Sequence, residues 1–310
     1  MPLTENLGQG VYCIDAQYTA NDVACFYCVV EGDEVAIIET GTSKSVPTLL
    51  KLLAELSIKH EQVKYVIPTH VHLDHAGGVG TMMQTFSNAE LVVHPSGAKH
   101  MIDPSQLIKA TIDVYGEQAY KNLYGEIPPV DAGRVISAEH ESVVNLNGRQ
   151  LLLIHTPGHA YHHLCVVDET SKGIFTGDTF GLAYQNLFYQ QKRIVIPTTT
   201  PTQFDQAALH ASIDLLMSYA PEKMYMTHFN MLPDPASVVD QLKDWIDKFV
   251  DLTVKVNPAS STDVSELITQ MGEMLASAYD LDTDIIENQL ANDIKLNAQG
   301  LAYWYQKQKT

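Results

Sequence analysis

Apolar residues in the first third of the chain come in short runs bounded by turn formers. GVYCIDAQYT (10–19), ACFYCVV (24–30) and EVAIIET (34–40) are rich in β-branched and aromatic side chains, and EGDE (31–34) supplies a turn between the last two. Such runs predict an antiparallel meander. The period then changes. In VPTLLKLLAELSI (46–58), Leu49, Leu50, Leu52, Leu53 and Leu56 fall on one broad helical stripe, and VKYVIPTH (63–70) follows as a buried strand. AGGVGTMMQTF (76–86) opens another helix and AELVVHP (89–95) another strand, so the middle of the chain alternates strand and helix.

Residues 105–124 read as an inserted helical segment. The β pattern resumes with SVVNLNGRQLLLIHTPGH (142–159), LCVVDET (164–170) and GIFTGD (173–178). TPTQ (200–203) has the form of a capping box with Pro at the first helical position, predicting a helix to about Tyr219. A short strand, KMYMTHFN (223–230), precedes two helical stretches, 235–250 and 264–279, the second with Val264, Leu267, Ile268, Met271 and Leu275 at helical spacing. The chain thus reads as two β-rich halves with helices outside. A division into a catalytic domain, 1–250, and a C-terminal helical extension, 251–310, is expected.

Charge narrows the partners. Lys and Arg number 19 against 37 Asp and Glu, a formal charge of −18, which repels nucleic acid and anionic membrane and favours a small-molecule substrate. The first residues lack the basic head and apolar run of a secretory signal, so the cytoplasm is the expected compartment. Cys25 and Cys28 form a CxxC, but on a strand a three-residue separation sends them to opposite faces, as buried thiols rather than a metal or redox pair.

The concentrated chemistry lies in PTHVHLDHAGG (68–78), with three histidines and an aspartate in six positions. Buried imidazoles and carboxylates each need a partner, and four together point to a cation. In an extended loop His70 and His72 point the same way and can share one ion. Asp74 and His75 are placed to hold a second beside it.

HxHxDH here, followed in order by TPGH (His159), TGD (Asp178) and THF (His228), each after an apolar β run, resembles the metallo-β-lactamase-fold superfamily over roughly residues 10–230. The likeness is strongest to its glyoxalase II-like small-molecule hydrolases. It implies an α/β fold, an αββα sandwich of two mixed sheets with helices on the outer faces. It also implies a ligand set: His70, His72 and His159 on one metal, Asp74, His75 and His228 on the other, and Asp178 bridging. Two divalent ions are expected, zinc first, with iron and manganese as alternatives because imidazole and carboxylate suit all three. The implied activity is hydrolysis of a small ester, thioester or lactone by a metal-bridging hydroxide, with Asp74 carrying a proton to the leaving group. An iron-dependent persulfide dioxygenase and an oxygen-binding diiron protein share these motifs and stand as the alternative.

Around this set, His163 is expected to steady the ligands from behind. His94, at the end of LVVH, stands between that role and a structural one. Tyr184, after Asp178, and Asn230, two residues after His228, are candidate donors to a substrate oxygen. The C-terminal helices are expected to close the pocket or to form a homodimer contact.

Overall fold

The meander forms, preceded by one more strand. β1 (Thr4–Gly8) joins β2 (Val11–Asp15), β3 (Cys25–Glu31) and β4 (Glu34–Ile38) in antiparallel pairs. β1 was not foreseen because its residues, TENLG, are polar and stay half-exposed at the sheet edge. β5 (Val63–Ile67), β6 (Glu90–Val93) and β7 (Val135–Ser137) add in parallel, giving a seven-stranded sheet in chain order. The second half builds a six-stranded sheet from β8 (Ser142–Leu146), β9 (Arg149–His155), β10 (Leu164–Asp168) and β11 (Gly173–Gly177). A two-stranded hairpin, β12 (Phe188–Tyr189) with β13 (Lys192–Arg193), then intervenes before β14 (Lys223–Met226) and β15 (Asn230–Pro233) complete that sheet in the order β15-β14-β11-β10-β9-β8. The computed structural model describes residues 2–199 and 202–309.

The two mixed sheets pack face to face. Tyr27 shows what holds them: its ring meets Phe175 at 5.1 Å and Tyr225 at 5.5 Å, and its hydroxyl donates to Met226 O at 2.6 Å. Each aromatic contact contributes about 0.5–1.5 kcal/mol beyond area burial. The outer face of the first sheet is covered by α1 (Val46–Glu55), α2 (Leu73–Ala76), α3 (Val79–Thr85) and α4 (Pro95–Ile102), whose Leu49, Leu53, Met82 and Met101 share a second core with Phe26 and Ile37. Cys25 lies in the core between the sheets and Cys28 in the outer one, so the CxxC does face both ways, and all four thiols are free and buried. The architecture is the αββα sandwich expected.

Local boundaries differ from the sequence reading. The insertion is two helices, α5 (Ser105–Tyr115) and α6 (Glu117–Leu123), because Gly116 at φ +81° breaks the run. The helix expected from 201 is α7 (Gln206–Ser218), capped by Asp205, whose carboxylate accepts from Ala208 N at 2.9 Å. Thr200 and Pro201 of the proposed capping box lie outside the described residues. The expected domain boundary at 250/251 falls inside α8 (Val239–Val256), where Trp245, Ile246, Phe249, Val250 and Leu252 continue one buried stripe until Asn257 ends the helix at φ +55°. α9 (Ser261–Tyr279) and α10 (Ala291–Gln308) add Leu267, Met271, Leu275, Ile294 and Leu301 to the same core as the sheets. Among the described residues, no helix is long and apolar enough to cross a membrane.

Candidate metal centre

The expected ligands gather where β5, β9, β11 and β14 end. His70 lies three residues past β5, His159 four past β9, Asp178 immediately past β11 and His228 two past β14. His72 precedes α2 with extended backbone, so Asp74 and His75 fall in the first turn of that helix. Two glycines permit the crowding. A Cβ on Gly177, at φ +48°, would stand 2.3 Å from Thr69 Oγ1 and 2.7 Å from His163 Nε2. One on Gly158, at φ +134°, would meet the Leu209 backbone at 2.4 Å.

Two groups result. His70 Nε2 lies 2.8 Å from His72 Nδ1, which lies 3.2 Å from His159 Nε2. His228 Nε2 is 3.4 Å from Asp74 Oδ2, and His75 Nε2 is 3.6 Å from the same atom. Asp178 sits between them, with Oδ2 3.3 Å from His159 Nε2 and Oδ1 3.2 Å from His75 Nε2 and 3.6 Å from His228 Nε2. Each triad of side chains, His70–His72–His159 and Asp74–His75–His228, keeps its donor atoms within 4.8 Å of one another.

The outward nitrogens are already committed, which aims the others at the cluster. His159 Nδ1 donates to Thr198 O at 3.2 Å and His228 Nδ1 to Val23 O at 2.9 Å. His75 Nδ1 donates to Glu39 Oε1 at 3.0 Å. The Thr69 hydroxyl donates to the same carboxylate oxygen, so the Thr69 oxygen accepts from His70 Nδ1 at 3.1 Å. Each bond fixes the tautomer that turns Nε2 inward. Buried Glu39, at φ +63° where β4 ends, thereby orients a histidine of each group, and Thr227 Oγ1 also donates to it at 3.2 Å. The sequence reading missed Glu39; its signal was an acid closing the apolar run of a strand parallel to β5.

Electrostatics give the fit. Burial and mutual repulsion hold His70 well below the usual imidazole range, and burial with His159 and His162 beside it pushes His72 down to about 3. These rings are neutral, with lone pairs to offer. Burial works against charge on Asp178 and Asp74, yet the neighbouring histidines hold both below the usual carboxylate range. The two anions in turn hold protons on the far histidines: although burial opposes it, Asp178 and Asp74 raise His75 well above its ordinary value and His228 to about 9. His75 Nε2 and Asp178 Oδ1 are buried without a hydrogen-bond partner among the described residues, 3.2 Å apart but not aligned as donor and acceptor. Neutral imidazoles beside ionised carboxylates attract positive charge, and a metal ion fits that donor set.

The other expected residues separate. His163 stands behind Asp178: its Nε2 accepts from Asp178 N at 3.2 Å, leaving the Nδ1 proton for Thr156 Oγ1 at 2.9 Å. His94 caps α4, its Nδ1 accepting from Ser96 N at 3.1 Å, and its ring lies 4.1 Å from that of His155. Asn230 is not placed as a substrate donor. Its Nδ2 donates to Glu5 Oε2 at 2.7 Å and its Oδ1 accepts from Met231 N at 2.6 Å. Tyr184 is buried, and its hydroxyl donates to Asp293 Oδ2 at 3.0 Å. Asp293, on α10, was not anticipated; burial pushes its carboxyl up to about 6.

A family model described as the metallo-beta-lactamase superfamily matches residues 20–228, the span that carries every ligand candidate. The chain belongs to that superfamily. A metallo-beta-lactamase fold-containing protein, ST1585 of Sulfurisphaera tokodaii, is 28% identical over 231 residues, 73% of this chain and 80% of its own length. The acyl-coenzyme A thioesterase MBLAC2 of Gallus gallus is 27% identical over 183 residues, 56% of this chain and 63% of the relative. In three dimensions, the metallo-beta-lactamase family protein TTHA1429 of Thermus thermophilus superposes with a TM-score of 0.69 at 17% identity, covering 98% of this chain and 95% of that one. This last likeness runs through the C-terminal helices, beyond the matched family span.

Proposed function

We propose that this superfamily member is a dinuclear metal-dependent hydrolase of a small ester, thioester or lactone. The observation that carries the reading is the convergence of seven ligand candidates, four of whose histidines, His70, His75, His159 and His228, are held from behind. The thioesterase name of the chicken relative is consistent with it.

His70, His72 and His159 would hold one ion and Asp74, His75 and His228 the other, with Asp178 between them. Zinc suits these donors best, and iron or manganese would also be accepted. Divalent ions there would polarise a substrate carbonyl and bring the pKa of a water toward neutrality. The protein's own groups do the rest. Glu39, Thr198 and Val23 keep the imidazoles from turning, which spares reorganisation during reaction. Asp74 is the more exposed of the two cluster carboxylates, its side chain 22% accessible against 6% for Asp178, so it meets the substrate side and moves the proton to the leaving group. The charge of −18 keeps polyanions away, and we place the protein in the cytoplasm.

The test is a panel of acyl thioesters, lactones, aryl esters and a bis-aryl phosphodiester, run beside an oxygen electrode with a persulfide. Cleavage of an acyl substrate that stops on chelation supports the reading. Oxygen uptake with persulfide and no hydrolysis overturns it in favour of iron-dependent oxidation.

A further inference from the structure

α10 brings to the metal centre a carboxylate that the reaction as described does not use. Asp293 is half-buried, accepts from Tyr184, and senses the charges of His228, Asp178 and Asp74. Two further clasps hold the C-terminal segment against the site loops, and both are neutral. Asn297 Oδ1 accepts from Thr199 N at 2.6 Å while its Nδ2 donates to Pro197 O at 2.9 Å. Asn186 and Gln289 exchange amide hydrogen bonds at 2.9 Å each way. Neutral amides therefore suffice to dock α10. A carboxylate is a costlier choice for the same task, because desolvation opposes its ionised form even with His228 and the Tyr184 hydroxyl beside it.

The direction of the Tyr184 bond adds a second constraint. The phenol gives its proton to Asp293, so the pair is left with acceptors rather than donors: the phenol oxygen and the second carboxylate oxygen. An acceptor held rigidly beside a metal centre matches a donor on the substrate, and leaving such an acceptor without its donor costs affinity.

We propose that Asp293 is a substrate-binding residue that selects acyl groups carrying a hydrogen-bond donor, an amide N–H or a hydroxyl, a few bonds from the scissile carbonyl. This rests on the hydrolase reading for its substrate, but not for its test. N-acetylglycinate and 4-oxopentanoate are carboxylates of matched shape, the second carrying a CH2 where the first has its N–H. Their affinities for the zinc-loaded full chain are measured by calorimetry, with the metal content of each sample determined. The wild type is expected to bind N-acetylglycinate about tenfold more tightly. Asp293→Leu should bring the ratio near one by weakening N-acetylglycinate, and Asp293→Asn, which retains an acceptor oxygen, should keep part of it. Equal affinities in the wild type, or a ratio unchanged in the variants, overturn the proposal. Aryl thioesters of the same two acids are assayed in parallel. Turnover of neither would sink the hydrolase reading, while the binding ratio still decides the role of Asp293.

Discussion

Among the described residues, two clusters of buried charge differ in how they are completed. At Arg149, the guanidinium makes a two-pronged contact with Asp168, Nε to Oδ1 at 2.9 Å and Nη2 to Oδ2, while Nη1 donates to Gln9 O at 2.7 Å and Ser171 donates to the carboxylate. Charge balances charge, and the group ties β9 and β10 to the β1–β2 turn. At the histidine–aspartate cluster, the neutral rings of His70 and His72 and the carboxylates of Asp74 and Asp178 face inward beside two histidines whose protons those anions hold, and two buried atoms lack a hydrogen-bond partner among the described residues. The first cluster is finished by the protein and serves stability. On the function proposed above, the second would be finished by a cation and serve chemistry.

The strongest way to break this contrast is Asp178→Asn. If Asp178 joins the two ions, kcat/KM should fall by roughly a thousandfold or more, with metal retention reduced in both sites. Retention of rate and metal would remove Asp178 from its bridging place. Arg149→Met should do the reverse. It strands Asp168 in the core, so urea unfolding should show a loss of about 3–5 kcal/mol, yet turnover per folded molecule and metal content should hold. A loss of metal in this variant would mean that the two clusters are not separable.

Glu39→Gln probes the support rather than the ligands. It should lower metal affinity about 10- to 100-fold in a competition titration with a chromophoric chelator, since the carboxylate orients both His75 and, through Thr69, His70. Wild-type affinity would show that the tautomers are set elsewhere.

The smallest effect concerns pH. A histidine whose folded pKa is raised contributes stability that is present below its unfolded value and lost as pH rises through the folded one. For His228 that window runs from about 6.5 to about 9, and His75 shifts in the same direction. The chelated protein should therefore lose on the order of 1–3 kcal/mol between pH 7 and 9.5, and the metal-loaded protein should not. Parallel pH profiles of melting temperature for the two forms would contradict this.

How much of the site was legible follows from which interactions are local. His70, His72, Asp74 and His75 are adjacent in sequence; His159, Asp178 and His228 each follow an apolar strand, so pattern places them at strand ends, and only the superfamily resemblance joins them to the cluster as a ligand set. Glu39 and Asp293 act across 36 and 109 positions, on His75 and Tyr184, and neither sits in a run that announces chemistry. The place of Asn230 after His228 was readable, whereas the partner that takes its amide, Glu5, was not, because it belongs to a polar edge strand without periodicity. The two-layer core was legible from alternating runs. That the C-terminal helices close the pocket was one of two expectations, but which residues of α10 meet the site loops was not legible, because they are polar ones, Asp293 and Asn297.

The most direct test of the central claim is elemental analysis of the chain purified without added metal, set beside the His228→Ala variant. The account predicts two ions per wild-type monomer and one in the variant, the ion on His70, His72 and His159 remaining. A single ion in both proteins would contradict it and leave His228 outside the metal centre.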